Sequence, residues 1–212
     1  MRTDLVISEI YGPVIQGEGP LVGMPTIFVR TGGCDFACVW CDSMHAVDKE
    51  RYGDSWEHLS TNDVLDTILT RSRGFPMLVS LSGGNPALMP FAKLIEEGQA
   101  MGYTFALETQ GSITRDWFAS LDYLVLSPKP PSAEVPAFNL NRLEQCVVMA
   151  EKGRKVQIAI KVVVFDNADY QFALAFRDWV KDRPHIRVYL QPGTPASVPK
   201  HCVTTNLATA HL

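Results

Sequence analysis

The chain has 212 residues, 46% hydrophobic and 20% charged, with a formal net charge of −4. That length suits one well-buried domain over 1–212 and is short for two. No apolar run approaches the ~20 residues that span a bilayer, no Lys/Arg run offers a nucleic-acid footprint, and Met1-Arg2-Thr3-Asp4-Leu5 reads as neither a signal nor a transit peptide. Membrane and nucleic-acid partners are therefore not expected, and a reducing cytoplasm is.

In chain order, residues 9–19 (Glu-Ile-Tyr-Gly-Pro-Val-Ile-Gln-Gly-Glu-Gly) precede the first expected strand. Gly17 and Gly19 flank Glu18 and allow a ligand close to the backbone, although a glycine-rich hairpin explains them equally well. Residues 26–31 are rich in β-formers and end at Gly32-Gly33, which predicts a strand. Residues 61–72 predict a helix, with Val64, Leu65, Ile68 and Leu69 on one face and Ser60 or Thr61 as the cap. Then come a strand over 77–81, a helix over 88–100, a strand over 103–107, a short helix over 114–120 and a strand over 123–126. A helix over 139–150, a β-branched strand over 156–165, a helix over 168–181 and a strand over 185–190 complete the series. Strands that are mostly apolar on both faces, alternating with helices, argue for a parallel sheet covered by helices. Six such strands fall short of the eight of a closed barrel, so an open, partial α/β barrel is expected.

Cys34, Cys38 and Cys41 fall within eight residues, in Cys-Asp-Phe-Ala-Cys-Val-Trp-Cys. A disulfide would leave one thiol over, in a chain with no sign of secretion. A zinc site would need His45, Cys146 or Cys202 as a fourth ligand, without the usual second knuckle. Three thiolates can instead hold an iron–sulfur cluster at three corners and leave one iron open; a fourth cysteine would close it.

In parallel α/β folds ligands bind at the carboxyl ends of the strands, and the unusual residues cluster there. The expected strands run into Gly33-Cys34, Ser82-Gly83-Gly84-Asn85-Pro86, Glu108-Thr109-Gln110-Gly111, Ser127-Pro128-Lys129-Pro130-Pro131 and Gln191-Pro192, and Lys161 lies among valines. Gly83-Gly84 is either a tight turn or a cradle for a ligand. Glu108 either binds a polar ligand or pairs with Arg30 or Lys129, since an unpaired carboxylate there is costly. Arg30 has the shape to read a carboxylate with both arms, or a partner within the protein. Lys161 either snorkels or meets a ligand. Trp56, Trp117 and Trp179 read as packing, and the five histidines show no ligand spacing.

Cys-x3-Cys-x2-Cys with Trp40 before the last cysteine resembles the signature of the radical S-adenosylmethionine enzymes. The blocks Ile-Gln-Gly-Glu-Gly, Phe-Val-Arg, Trp40-Cys41-Asp42-Ser43, Ser-Gly-Gly-Asn-Pro, Leu-Glu-Thr-Gln-Gly, Ser-Pro-Lys-Pro-Pro, Lys-Val-Val-Val and Tyr-Leu-Gln-Pro are, as a set, similar to the 7-carboxy-7-deazaguanine synthase family. They speak against a glycyl-radical activase, while a zinc-stapled binding protein is the rival from another class. The resemblance implies one radical S-adenosylmethionine core domain, a homodimer, a flavodoxin-like or other reductant, and a Mg2+-dependent ring contraction of 6-carboxy-5,6,7,8-tetrahydropterin.

It further implies a [4Fe-4S] cluster on Cys34, Cys38 and Cys41, and Mg2+ on Ser43. Substrate contacts would come from Ile15, Gln16, Gly17, Glu18, Arg30, Ser82 and Glu108. S-adenosylmethionine would meet Trp40, Cys41, Asp42, Gly84, Ser127, Pro128, Lys129, Lys161 and Gln191. Two departures from the family pattern stand out. Asn85 takes the place of the glutamate in the Gly-Gly-Glu-Pro loop, and the tail over 192–212 matches no family segment.

Overall fold

The computed structural model describes residues 4–153 and 155–194. Its frame is one eight-stranded sheet: β1 (Leu5–Ile15), β2 (Pro25–Thr31), β3 (Glu57–Leu59), β4 (Leu78–Gly83), β5 (Thr104–Thr109), β6 (Tyr123–Leu126), β7 (Gln157–Val164) and β8 (Arg187–Pro192). The spatial order is β3-β1-β2-β4-β5-β6-β7-β8, and the sheet does not close. The six strands from β2 to β8 that skip β3 run parallel, as the alternation of strands and helices predicts. The other two are additions. β1 pairs antiparallel with both β2 and β3 and extends the open edge.

β1 occupies most of the stretch that reads as a glycine-rich loop. Its pairing with β2 shifts register between Ile7 and Glu9 and again between Tyr11 and Val14, so the two-residue alternation that marks a strand is broken. β3 has only three residues, too few to show a period.

The helices are α1 (Lys49–Tyr52), α2 (Thr61–Ser72), α3 (Ala92–Ala100), α4 (Leu140–Glu151) and α5 (Asn167–Trp179). Ser60 Oγ accepts from the Asp63 N–H while Asp63 returns a bond to the Ser60 N–H, a reciprocal cap that satisfies two orphan donors. Ser60→Ala is expected to cost about 1 kcal/mol of stability, read as a lowered midpoint in urea with an unchanged slope. α3 starts at Ala92, not at 88, because Pro90 holds Met89 extended (φ −95°, ψ 153°) and confines Pro86–Leu88 to a 3-10 turn. The helix expected over 114–120 is likewise a 3-10 turn, Asp116–Ser120.

The sheet's two faces differ. Ile27, Val29, Val79, Leu81, Phe105, Leu107, Leu124, Leu126, Ile158 and Ile160 turn to the helices and form the main core with Phe91, Leu94, Phe118 and Leu143. On the other face a second, smaller cluster of Leu21, Leu78, Ala106 and Val125 is closed by the turn Gly19–Leu21. The strands are therefore apolar on both faces only toward their starts. Near their ends the inner positions become Arg30, Ser82 and Glu108, and that change builds the site.

Candidate active site

The parallel register sets Arg30 beside Ser82 and Glu108 beside Val125. Above them opens a cavity of about 390 Å³, walled by the strand ends of β2, β4, β5 and β6, the end of β1, the loop after it and the cysteine loop. It gathers Ile15, Gln16, Gly17, Glu18, Arg30, Ser82 and Glu108, all of the expected substrate residues. Cys34, Cys38, Cys41 and Ser43 line it too, as do Trp40, Asp42, Gly84, Ser127 and Lys129. Pro128, Lys161 and Gln191 do not line this cavity.

The cysteine loop is fixed from below. Trp40 donates its indole N–H to Ser132 Oγ (3.1 Å), stacks at a tilt on Phe165 (5.2 Å) and lies under the Lys129 ammonium (5.7 Å). Ser132 in turn donates through its hydroxyl and its N–H to the fully buried Asp169 of α5 (2.6 and 3.0 Å). The loop after β6 and the start of α5 thus hold the aromatic between the second and third cysteines. Burial pushes all three thiols up from their ordinary range. The Phe36 N–H and the Gln110 amide oppose that rise at Cys34, and Lys129 opposes it at all three. A bound metal centre would take up the thiolates and release those protons.

Among the described residues no three His, Cys, Asp or Glu side chains form a ready group for a single ion. The zinc reading also lacks its fourth ligand there. His45 Nε2 is engaged by Glu9 (2.9 Å) and Arg30 (3.2 Å), and Cys146 is buried against Thr114 and Gly111. Cys202 lies outside the described residues, as does the tail from 195 onward.

Neither Gly83 nor Gly84 leaves room for a side chain. Gly83 has φ +114°, and a Cβ there would stand 2.4 Å from the Thr31 nitrogen. A Cβ on Gly84 would stand 2.1 Å from the Gly33 carbonyl oxygen, close to the Asn85 N–H bond to that same oxygen (2.8 Å). Gly84→Ala is expected to push the β4 loop off the Gly32-Gly33 backbone and, where the loop holds S-adenosylmethionine as the family resemblance implies, to weaken it at least about tenfold, measured by equilibrium binding.

Asn85, at the glutamate position of the family loop, turns inward. It is fully buried, accepts from the Ala87 N–H and the Thr109 hydroxyl, and donates to Asp35 Oδ1 (2.7 Å) and Ser112 Oγ (3.2 Å). Its amide is consumed in bracing the loop.

Arg30 keeps a foot in both of its readings. NH1 donates to Glu9 Oε1 (2.7 Å) and NH2 to the Tyr11 hydroxyl (3.1 Å), while Nε is buried without a partner, as is Ser82 Oγ on the neighbouring strand. Buried polar atoms are rarely left unpaired without a reason. Glu108 is paired too, but with Lys161 rather than Arg30 or Lys129. Lys161 is 3% exposed and sits beneath the cavity with its ammonium 2.5 Å from both Glu18 and Glu108. The expected contact between Lys161 and the cofactor therefore has no surface to act through. Gln191, on the edge strand β8, stands apart from the cavity as well.

Several residues at or behind the wall have no role in the sequence reading, although Phe28 and Gln110 fall within matching blocks. Tyr11 and Phe28 stack face to face across the β1–β2 pair (5.0 Å, 7°) and line the cavity. Gln110 donates to Asp35 (2.6 Å) and reaches Cys34 Sγ (3.6 Å). His45, assigned nothing by spacing, completes the cluster around Glu9. The signal for Tyr11 lay in a strand that the sequence pattern conceals.

A partial parallel α/β barrel with a Cys-x3-Cys-x2-Cys loop at its carboxyl rim is the frame of the radical S-adenosylmethionine enzymes. Among solved structures, QueE from Escherichia coli superposes with a TM-score of 0.67 at 23% identity, covering 90% of this chain and 85% of that one. No protein-family model matches the chain. A 7-carboxy-7-deazaguanine synthase of Bacillus subtilis (strain 168) is 37% identical over 199 residues, 91% of this chain and 78% of its own length. One of Halobacterium salinarum is 32% identical over 189 residues, 88% of this chain and 69% of its own. The chain belongs to the 7-carboxy-7-deazaguanine synthase family.

Proposed function

We propose that this chain converts 6-carboxy-5,6,7,8-tetrahydropterin to 7-carboxy-7-deazaguanine with loss of ammonia, as a single core domain over 1–212. The carrying observation is one cavity that holds three part-buried thiols together with two buried, unpartnered donors, Arg30 Nε and Ser82 Oγ. Three thiols with no fourth cysteine on the described wall fit a [4Fe-4S] cluster open at one iron, and Cys34, Cys38 and Cys41 would hold it. When bound, the cluster and S-adenosylmethionine supply one-electron cleavage of the sulfonium and, through it, abstraction of a substrate hydrogen.

The chain's own groups bind and orient. The Gly84 backbone, Trp40, Asp42, Ser127 and Lys129 would hold S-adenosylmethionine, while Ser43 and neighbouring waters would offer oxygen to Mg2+, which favours such ligands. Arg30 and Ser82 complete their unmet hydrogen bonds on the substrate carboxylate. Glu108 and Glu18 accept from the guanidine-like nitrogens at the pterin's other end. The sheet below, sealed by Leu21, Ala106 and Val125, keeps water from the reacting ring. A homodimer, a flavodoxin-like or other small reductant and a cytoplasmic location belong to the same reading. No described helix is long and apolar enough to cross a membrane.

Anaerobic reconstitution with iron and sulfide tests this reading. The expected protein shows visible charge-transfer absorption, and its cleavage of S-adenosylmethionine accelerates when the carboxylated tetrahydropterin is added. Cleavage indifferent to the pterin would assign the site to another substrate.

A further inference from the structure

Lys161 is a cation for which the sequence suggests the cofactor and no partner within the protein. It projects from the inner face of β7, its side chain is 4% exposed, and its ammonium lies 2.5 Å from Glu18 Oε2 and 2.5 Å from Glu108 Oε1. The two acids come from separate elements, the loop after β1 and the end of β5, and each keeps a face toward the cavity (46% and 32% exposed). Apart from the trio itself, the small void that Glu18, Glu108 and Lys161 share is walled by uncharged groups, Leu21, Ser80, Ala106 and Val125 among them. Burial alone would drive the ammonium toward its neutral form, but Glu108 and Glu18 reverse this and raise its pKa above the ordinary lysine value.

One carboxylate would suffice to neutralise a buried ammonium. With two the trio keeps one net negative charge, and it is turned to the cavity. Two carboxylates brought this close without a cation between them would not both stay ionised, because like charges at short range drive one to take a proton.

We propose that Lys161 is a positioning residue that holds Glu18 and Glu108 as ionised acceptors in fixed orientation on the cavity floor. It also latches the loop carrying Gln16–Gly17–Glu18 to the sheet across 143 residues of sequence. The class of ligand edge that fits this floor is a flat cyclic guanidine, whose N–H groups donate in pairs. The inference rests on the pterin reading above.

The test is equilibrium binding of 6-carboxypterin, followed by its fluorescence, to the full chain without cluster, from about pH 5 to 7.5, where an ordinary carboxylate is already charged. The other charged or titratable groups on the wall are Tyr11, Arg30, the three cysteines, Asp42 and Lys129, with Glu9 and His45 behind Arg30. All are common to the proteins compared, so their contribution cancels between wild type and variant. Wild type is expected to bind with nearly constant affinity. Lys161→Met is expected to bind at least about tenfold more weakly and to lose further affinity as pH falls, because one acid now takes up a proton in this range and can no longer accept.

Lys161→Met/Glu18→Gln removes the like charge and keeps Glu108. It is expected to fold, to bind more weakly than wild type and to show no such pH dependence, and it serves in place of Lys161→Met should the latter fail to fold. A folded Lys161→Met with wild-type affinity and a flat profile, or a double variant with wild-type affinity, overturns the proposal. A wild-type chain that does not bind the probe overturns the pterin reading itself, and this inference with it.

Discussion

Cys38→Ala protein, treated anaerobically with iron and sulfide, is expected to remain folded and to gain no stable cluster, with product formation lowered at least about 10³-fold. The reason is geometric. Three corners of the cluster need three thiolates, and Cys34, Cys38 and Cys41 are the only cysteines on the described wall of the cavity. Cys38 is only part-buried and lies outside every strand and helix, so its removal changes stability by roughly 0.5 kcal/mol or less. Cys146 supplies the control. It is fully buried in α4 and bonded to Thr114, away from the cavity wall. Cys146→Ala is therefore expected to lower stability and leave the iron content unchanged. Iron and sulfide counts with the visible spectrum check both variants.

Arg30→Met is expected to lower kcat/KM for the carboxylated tetrahydropterin about a hundredfold, or about 3 kcal/mol, the scale of hydrogen bonds to a charged group. Arg30 is held in place before any ligand arrives, by Glu9 at 2.7 Å, by Tyr11 at 3.1 Å and by the Tyr11 ring 5.3 Å below its guanidinium. Its Nε is unpartnered, as is Ser82 Oγ of the residue paired with it on the adjacent strand. Arg30→Lys keeps the charge without the planar fork, and about tenfold of the loss is expected to persist. The ion pair with Glu9 is part-exposed on both sides (21% and 40%), so its loss costs little stability. Steady-state kinetics with a pterin lacking the carboxylate separates the two roles, since the variant and the wild type should then converge.

The sequence exposed what is local. The α2 boundaries could be read to the residue because Ser60 and Asp63 form their cap within one turn. The six parallel strands could be read because each is a short apolar run beside a helical one. The cysteine loop could be read from spacing alone. What stayed hidden depends on partners far apart in the chain. β1 is masked by two irregularities in its pairing, and Tyr11 is masked with it.

Lys161 offered only a cation among valines, and its meaning lies in two acids brought to it by the closing of the sheet. Asn85 reads as a weakened ligand in sequence and becomes a brace in three dimensions, because Asp35, Thr109 and Ser112 converge on it from other elements.

The most direct test is the reaction itself. Reconstituted protein, reductant, S-adenosylmethionine, Mg2+ and 6-carboxy-5,6,7,8-tetrahydropterin are combined without oxygen, and the mixture is analysed by mass spectrometry. The expected result is 7-carboxy-7-deazaguanine with release of ammonia, dependent on all five components. An intact cluster that cleaves S-adenosylmethionine yet leaves the pterin ring unchanged would contradict it.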